Sequence, residues 1–297
     1  MNGIINILKP PGMTSFDVVA YLRRLLGIKR IGHAGTLDPM AAGVLPVCVG
    51  KATGAVEFLI EKDKHYRTEL TLGITTDTQD VSGEILSKDM PECSDSEIES
   101  AVRSFVGKYM QTPPMYSALK IGGKKLYELA REGRKVDRPP RKVEIYSAEI
   151  VDIDRSDGVR VLMDVHCSKG TYIRTLCADI GERLGCGGHM SFLLRKRAGP
   201  FDINGSITLE ELARLKDEGK EENAFIPLDS VFPDFASYAL DEGLEKKFRN
   251  GMSVRIDNVP SSAGSLLRVY GAGGEFIAIG TVQKTRKGMF LKVRKFF

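Results

Sequence analysis

The sequence contains few cysteines, and none of them is placed for a metal site or a disulfide framework. There are five, an odd number, with no CxxC pair and no close spacing to any of the four histidines. A zinc site needs clustered thiol and imidazole ligands, and small disulfide-stapled domains need paired cysteines. The spacing disfavours both classes. We therefore expect reduced thiols in a cytoplasmic protein that holds no metal and needs no cofactor.

The sequence also lacks a hydrophobic run long enough to cross a membrane. The amino-terminal apolar stretch 3–8 meets a lysine and two prolines, too soon for a signal peptide or a membrane span. No later stretch reaches membrane length. What remains is a chain of 297 residues, 42% hydrophobic and 28% charged, which is typical of a globular protein. We expect one large and one small domain, and no membrane partner.

Strand and helix patterns are interspersed irregularly along the first two thirds of the chain. Strands are predicted at 4–8, 44–49, 66–72, 143–153 and 159–166, and helices near 14–26, 53–59, 94–105 and 173–184. These elements show no steady βαβ period, so we predict an α+β fold with a mixed, largely antiparallel sheet and packed helices. In the first helix, the apolar positions at helical spacing are Phe16, Val19, Leu22 and Leu26, after a cap at Thr14 or Ser15.

The composition changes after residue 200. A polar, acidic helix is predicted at 209–220, followed by an aromatic, proline-containing connector at 225–235. Beyond residue 240 the chain consists of short β segments punctuated by glycines, at 266–270, 276–282 and 289–293. That pattern is typical of a small β-barrel. We therefore predict a large domain over 1–235 and a small β-barrel-like domain over 236–297.

Positive charge is concentrated in one segment. Residues 120–142 contain nine Lys or Arg against three acids, an excess larger than the net charge of +4 on the whole chain. Such density suits the neutralisation of RNA phosphates, although a solvated loop can have the same composition. The candidate RNA-binding residues in this segment are Lys124, Lys125, Arg131 and Arg134.

Two residues are candidates for chemistry on local grounds. Asp38 lies in an irregular, glycine-bracketed loop and is followed by Pro39, so its carboxylate is expected to be held at a fixed angle. An Asp-Pro pair is also a common turn former. Arg174 falls near the start of a predicted helix, where the helix dipole does not favour a cation. A cation placed against that preference often has an anionic partner.

Several short motifs, in one consistent order, resemble a known family. They read LKPPGMTS at 8–15, GHAGTLDP at 32–39, AGVLP at 42–46, YR at 66–67, TDTQD at 76–80, QTPPMYSA at 111–118 and SKGTYIR at 168–174. Together they resemble the bacterial tRNA pseudouridine synthase B family over roughly residues 3–197. Several motifs jointly are far more specific than any one of them.

The resemblance implies a pseudouridine synthase fold and the isomerisation of uridine 55 in the T loop of tRNA, by a monomer that needs no guide RNA. It also implies a role for each matching residue: Asp38 as the catalytic aspartate, Tyr66 stacking on the target base, Arg174 pairing with the carboxylates, Asp80 associated with that arginine, Lys9 supporting the active-site loop, and His33 filling the gap left by flipped bases. The stretch at about 113–142 matches an RNA-gripping insertion. Residues 236–297 resemble a PUA-type RNA-binding module.

The reaction explains why a carboxylate would be needed. The N1–C1′ bond must break, the uracil must turn while bound, and C5 must join C1′, with no redox change. A carboxylate can trap or stabilise the electron-poor sugar carbon, or it can add to the ring, and the sequence leaves both routes open. Three other functions also remain open: a non-catalytic RNA-binding protein or tRNA chaperone on the same fold, a hydrolase of free nucleosides, and a guide-dependent pseudouridine synthase.

Overall fold

The structure is a computed structural model that describes residues 1–117, 119–134, 136–257 and 261–297; of residues 120, 121, 125, 127 and 131 it describes the backbone alone. Within these ranges there are seven α-helices. They are α1 (Ser15–Leu26), α2 (Val56–Ile60), α3 (Asp95–Arg103), α4 (Leu126–Arg131), α5 (Ile173–Arg183), α6 (Leu209–Asp217) and α7 (Glu242–Arg249). No helix in the described part of the chain has both the length and the apolar character needed to cross a bilayer.

The same ranges contain eighteen strands. In chain order they are β1 (Gly3–Lys9), β2 (Ile31–His33), β3 (Ala42–Val49), β4 (Lys64–Leu72), β5 (Ile74–Thr76), β6 (Ile85–Lys88), β7 (Gly107–Gln111), β8 (Lys120–Ile121), β9 (Lys124–Lys125), β10 (Arg141–Asp154), β11 (Val159–Cys167), β12 (Gly188–Ala198), β13 (Phe201–Asp202), β14 (Ala236–Ala239), β15 (Val254–Arg255), β16 (Leu266–Tyr270), β17 (Phe276–Thr285) and β18 (Gly288–Phe296).

Nine of the described strands form one large sheet. Its order is β1-β3-β12-β4-β11-β10-β7, with β2 beside β3 and β13 beside β12. The pairing of β3 with β12 is parallel, and the other pairings in this sheet are antiparallel. The predicted α+β fold with a mixed, largely antiparallel sheet is therefore confirmed. The long central strand β12 was not predicted.

Strand β4 shows how the sheet defines its two faces. Every second residue from Lys64 to Leu72 is buried, and the residues between them are half-buried. Alternation of this kind places one set of side chains on each face of a strand. Tyr66 and Leu70 lie on the buried face, where the core also contains Leu176 and Ile180 of α5. Tyr66, the predicted base-stacking residue, is therefore on the face of the sheet that the helices cover.

Helix α1 begins and ends as its sequence predicts. The Thr14 hydroxyl accepts the Asp17 N–H, Asp17 reciprocates with the Thr14 backbone, and the helix stops at Gly27 in the left-handed region. Of the residues expected to face the core, Phe16 is 64% exposed. That expectation was wrong because Ser15, and not Phe16, occupies the buried side of the first turn.

The C-terminal strands form a separate five-stranded sheet. Its order is β14-β16-β17-β18-β15, and among the described residues the two outer strands β14 and β15 do not pair with each other. The sheet is thus a half-barrel with its own core, which is formed by Leu240, Phe248, Val254, Ile256, Leu267, Val269, Ile277, Ala278, Val282 and Leu291. The predicted β-barrel-like element is present in this open form.

The aromatic stretch at 225–235 does more than connect the two sheets. The Phe232 ring, 1% exposed, stacks on Phe235 at 5.4 Å between centroids and meets Phe58 edge-on at 5.7 Å. Phe276 and Phe297 of the C-terminal sheet lie 6.5 Å from the same ring. Aromatic pairs at these separations are favourable, so the stretch packs the small sheet against the large domain.

Candidate active site

The loop that carries Asp38 is tied to the rest of the protein on both sides of that residue. Before it, the buried Ser15 hydroxyl accepts the Leu37 N–H at 2.9 Å and donates to the Leu37 carbonyl at 3.2 Å. After it, the Pro39 carbonyl accepts the Gly12 N–H at 2.8 Å. These bonds fix the backbone on which the carboxylate is mounted.

Lys9 is a buried support of the same loop. Its ammonium donates to three carbonyls, of Pro10 at 2.8 Å, Met13 at 2.6 Å and Pro39 at 3.3 Å. Burial lowers the pKa of Lys9 to about 8, while the charge of Asp38 acts in the opposite direction. Lys9 therefore lies against the Asp38 loop, and its predicted role in supporting that loop during the reaction stays a prediction.

Arg174 joins the two acidic residues through a guanidinium that makes five polar contacts. Nε lies 2.9 Å from Asp38 Oδ2, and Nη2 donates to Asp38 Oδ1 at 3.4 Å and to the Tyr116 carbonyl at 2.8 Å. Nη1 donates to Asp80 Oδ2 at 3.2 Å and to the Thr78 carbonyl at 3.3 Å. The guanidinium is therefore fixed, and it presents a two-pronged contact to the Asp38 carboxylate.

The two carboxylates differ in what surrounds them. Asp80 is buried, and its second oxygen accepts the Thr78 hydroxyl at 2.8 Å and the Ser82 N–H at 3.0 Å. The side chain of Asp38 is 32% exposed. Asp80 is thus an anchor for Arg174, whereas Asp38 retains a face that a substrate can reach.

The protonation of Asp38 reflects opposing influences. Burial raises the pKa of this carboxyl, and the Asp80 charge adds to that effect, while Arg174, Lys9 and Arg195 lower it. The net direction is upward. A carboxylate in this setting is poorly hydrated and held at a fixed angle, which suits attack on, or stabilisation of, an electron-poor carbon.

The start of helix α5, which positions Arg174, is held by a residue that sequence reasoning missed. Tyr172, at the N-cap, has no side-chain cap. Instead Gln111 Oε1 accepts the Tyr172 N–H at 2.8 Å, and Gln111 Nε2 donates to the Tyr172 carbonyl at 3.0 Å. The signal was present, since Gln111 opens the QTPPMYSA motif.

A second missed residue, Gln79, holds the Asp80 loop against the same helix. Its Oε1 accepts the Thr175 hydroxyl at 2.8 Å. Gln79 has a φ of 63°, and among the described residues it is the one non-glycine with a positive φ. A side chain in this region costs conformational energy, and such strain persists where neighbouring contacts enforce it. The strain therefore accompanies the placement of Asp80 beside Arg174.

Tyr66 is buried, and His33 is half-buried. Tyr66 is 8% exposed in the core cluster that also contains Leu37. Burial raises the pKa of its hydroxyl, against the influence of Arg195, so the phenol is neutral at neutral pH. His33 ends β2, and burial together with Arg195 lowers its pKa. Both rings are thus uncharged, as rings that stack on nucleobases can be.

Two of the four predicted RNA-contacting residues have described side chains. Lys124 and Arg134 are exposed, and both lie near Glu132, at 3.4 and 3.6 Å. The side chains of Lys125 and Arg131 lie outside what the structure describes. Glu132 therefore offsets part of the positive charge of this segment in the absence of RNA.

One cluster of potential metal ligands lies on the opposite face of β4 from Tyr66. Asp63, His65 and His166 bring their ligand atoms within 4.8 Å of one another. However, the two imidazole rings are stacked at 3.8 Å, so their nitrogen lone pairs do not converge. Asp63 Oδ2 also accepts a hydrogen bond from Arg197 at 2.7 Å. The cluster is an ion-pair network away from Asp38, and its geometry does not suit a metal.

Comparison with known proteins identifies the family. A profile described as TruB family pseudouridylate synthase (N terminal domain) matches residues 23–173, and one described as tRNA pseudouridylate synthase B C-terminal domain matches 174–234. The tRNA pseudouridine synthase B of Alkaliphilus oremlandii is 50% identical over 287 residues, which cover 95% of this chain and 94% of that protein. The protein of the same name from Clostridioides difficile is 44% identical, with all of both chains covered.

Solved structures agree with the sequence comparison. A structure of a Cbf5–Nop10–Gar1 complex contains a chain that is 29% identical, with a TM-score of 0.76, and the match covers 99% of this chain and 84% of that one. A second, of an H/ACA RNP bound to a substrate RNA containing 2′-deoxyuridine, gives a TM-score of 0.75 at 27% identity, with the same coverage. With its motifs, its sheet and its full-length relatives in agreement, the chain belongs to the TruB family of pseudouridylate synthases.

Proposed function

We propose that this protein isomerises the T-loop uridine of tRNA, at position 55, to pseudouridine, with Asp38 as the catalytic carboxylate. The observation that carries the proposal is the geometry of Asp38: a partly exposed carboxylate held by a two-pronged arginine contact in a chain of this family. Its relatives are named for the same reaction on tRNA.

The site suggests how the chain would perform the reaction. Asp38 attacks or stabilises C1′ of the ribose, or adds to the uracil ring, while Arg174 holds the carboxylate in one orientation. Tyr66 stacks on the detached base and keeps it in place while it turns. A paired or stacked uridine is out of reach, so the base must flip out, and the neutral His33 ring then occupies the vacancy in the loop.

The RNA-binding surfaces complete the proposal. We assign residues 1–235 to the catalytic domain, with the basic insertion at about 113–142, and 236–297 to a PUA-like RNA-binding domain. The start of the second sheet at Ala236 supports this boundary. We further propose that the protein acts in the cytoplasm, as a monomer and without a guide RNA. The free state of its five cysteines is consistent with a reducing compartment.

The decisive experiment uses the purified protein and an unmodified tRNA transcript, with no metal, cofactor or guide RNA added. We expect a single pseudouridine in the T loop, mapped by chemical labelling of the RNA. A transcript with cytidine in place of the target uridine is the matched control and should stay unlabelled. Tight binding without any product would favour the non-catalytic RNA-binding protein, and product only after a guide RNA is added would favour the guide-dependent enzyme.

The basic segment gives a separate prediction about binding. Replacing Lys124, Lys125, Arg131 and Arg134 together with glutamine should weaken tRNA binding. The slope of log Kd against log salt should fall by up to about 3, because a complex that has lost four phosphate contacts releases fewer counterions when it forms. Binding titrations at several salt concentrations measure both effects.

Glu132 supplies a control of opposite sign for that experiment. Because Lys124 and Arg134 both lie near its carboxylate, Glu132→Gln should strengthen tRNA binding. If the fourfold glutamine variant binds with unchanged affinity at every salt concentration, the segment is a solvated loop and not an RNA contact.

A further inference from the structure

Strand β12 places an arginine beneath the loop that carries Asp38. The proposed mechanism does not use this arginine. Arg195 is 1% exposed and is among the largest fully buried side chains. Its Nε donates to the Val44 carbonyl at 2.7 Å, Nη2 to Gly35 at 3.0 Å and Nη1 to Thr36 at 3.3 Å. All three acceptors are backbone carbonyls, and they lie on both sides of Asp38 in the chain.

In the described part of the chain, Arg195 forms no ion pair with a carboxylate. Among the described residues, the ion pairs formed by this part of β12 involve Lys196 and Arg197, which bind Asp164 and Asp63. Carbonyl dipoles satisfy the N–H groups of a buried guanidinium but do not cancel its charge. The positive field of Arg195 therefore extends to the groups around it. It lowers the pKa of Asp38, of Tyr66 and of Lys9.

A close backbone approach brings Arg195 into this position. Arg195 pairs with Gly43 where β12 and β3 run parallel. A Cβ atom at Gly43 would lie 2.3 Å from the Arg195 carbonyl oxygen, and Gly43 has a φ of 115°. Both features require glycine, since a side chain would push the two strands apart. The AGVLP motif thus has a physical role in placing Arg195 under the loop.

We propose that Arg195 is a positioning residue for the isomerisation, which fixes the loop presenting Asp38 through three carbonyl contacts and, as a buried cation against that loop, favours the ionised form of its carboxylate. The inference rests on the proposed function of Asp38. It adds a third cation to the site, after Arg174 of α5 and Lys9 of β1, and this one is held on strand β12.

Several other groups also influence the pKa of Asp38, so Arg195 accounts for only part of the total effect. Arg174 at the start of α5 and Lys9 at the end of β1 favour its ionised form, and Asp80 opposes it. Tyr66 from β4 and Tyr172 at the α5 N-cap face the same carboxylate. Removal of Arg195 leaves two cations in place, so the expected shift of the Asp38 titration is upward but partial.

The test compares Arg195→Met, which removes the charge, with Arg195→Lys, which keeps the charge but loses the three-way contact. Single-turnover rates at saturating tRNA are measured from acid to neutral pH. In Arg195→Met we expect a rate about 10²-fold lower, which is the cost of a misplaced catalytic group. We also expect the acid limb of the pH–rate profile, where the rate falls with decreasing pH, to move to higher pH. Arg195→Lys should lower the rate with the acid limb unmoved. The control is Arg197→Gln. Arg197 lies on the other face of β12, because the strand has a register shift between Arg195 and Arg197, and its replacement should change neither the rate nor the acid limb.

The charge role is overturned if the acid limb of Arg195→Met coincides with that of the natural protein, and the positioning role is overturned if Arg195→Lys reacts at the full rate. Should Arg195→Met fail to fold, the lysine variant alone decides the positioning role. A carbon-13 NMR titration of the Asp38 carboxyl, with its signal assigned through Asp38→Asn, measures the charge effect without turnover. If the natural protein forms no product, the proposed function fails. If it forms product but the Arg195 variants show neither effect, only this inference fails.

Discussion

Replacing Asp38 with asparagine is expected to abolish pseudouridine formation while tRNA binding stays nearly unchanged. The amide has the shape of the carboxylate but can neither act as a nucleophile nor stabilise positive charge on the sugar. Loss of a residue with this role typically lowers the rate by at least about 10⁴-fold. The measurement is a single-turnover assay on tRNA transcript, together with a binding titration on the same preparation.

Two further variants sharpen the result. Asp38→Glu keeps the charge but moves it by one methylene, and a displacement of about 1 Å from a catalytic position costs on the order of 10²-fold. Asp157→Asn, in an exposed turn, makes the same chemical change away from the site and should leave the rate unaltered. Full turnover in Asp38→Asn would remove Asp38 from the mechanism.

The same substitution has a predictable effect on stability and on the pH profile. Burial raises the pKa of the Asp38 carboxyl in the folded state, so the ionised form destabilises the fold at pH values above that pKa. Asparagine removes this penalty, and Asp38→Asn should therefore be no less stable than the natural protein at neutral pH. Activity, in contrast, requires the ionised form, and it should be lost as the pH falls through the raised pKa.

Local sequence features predicted the parts of the site that depend on short-range rules. The cap at Thr14, the strand containing Tyr66 and the helix that begins just before Arg174 all follow from residues close in sequence. The antiparallel character of the sheet also followed from the irregular spacing of the elements. These features depend on local periodicity and capping, which the sequence displays directly.

The long-range parts of the site could not be predicted in this way. Strand β12 has register shifts between Met190 and Phe192 and between Arg195 and Arg197, which break the period of two that marks a strand. The strand was therefore missed, and Arg195 with it. The partners of Gln111 and Gln79 lie 61 and 96 residues away, a separation that no local pattern reveals. Local features pointed to Asp38, and family resemblance supplied Asp80 and its pairing with Arg174, but neither revealed the supporting contacts of Gln111 and Gln79.

Removal of the Arg174 charge is expected to damage both the stability and the activity of the protein. Arg174→Met keeps much of the side-chain volume but leaves Asp80 buried without its cation. Breaking a buried ion pair in this way costs roughly 3–5 kcal/mol. Asp38 would lose its two-pronged contact at the same time, and turnover should fall with it. Urea unfolding measures the first effect, and a single-turnover assay below the unfolding transition measures the second.

A double variant separates these two consequences. In Arg174→Met/Asp80→Asn the unpaired buried carboxylate of Asp80 is gone, so part of the lost stability should return. Activity should not return, since the Asp38 carboxylate has still lost the two-pronged contact with Arg174. Arg174→Lys is the matched charge control: a point charge cannot make the five contacts of a guanidinium, so it should recover stability better than turnover. If the double variant regains activity along with stability, Arg174 serves the fold alone and the orientation of Asp38 has another source.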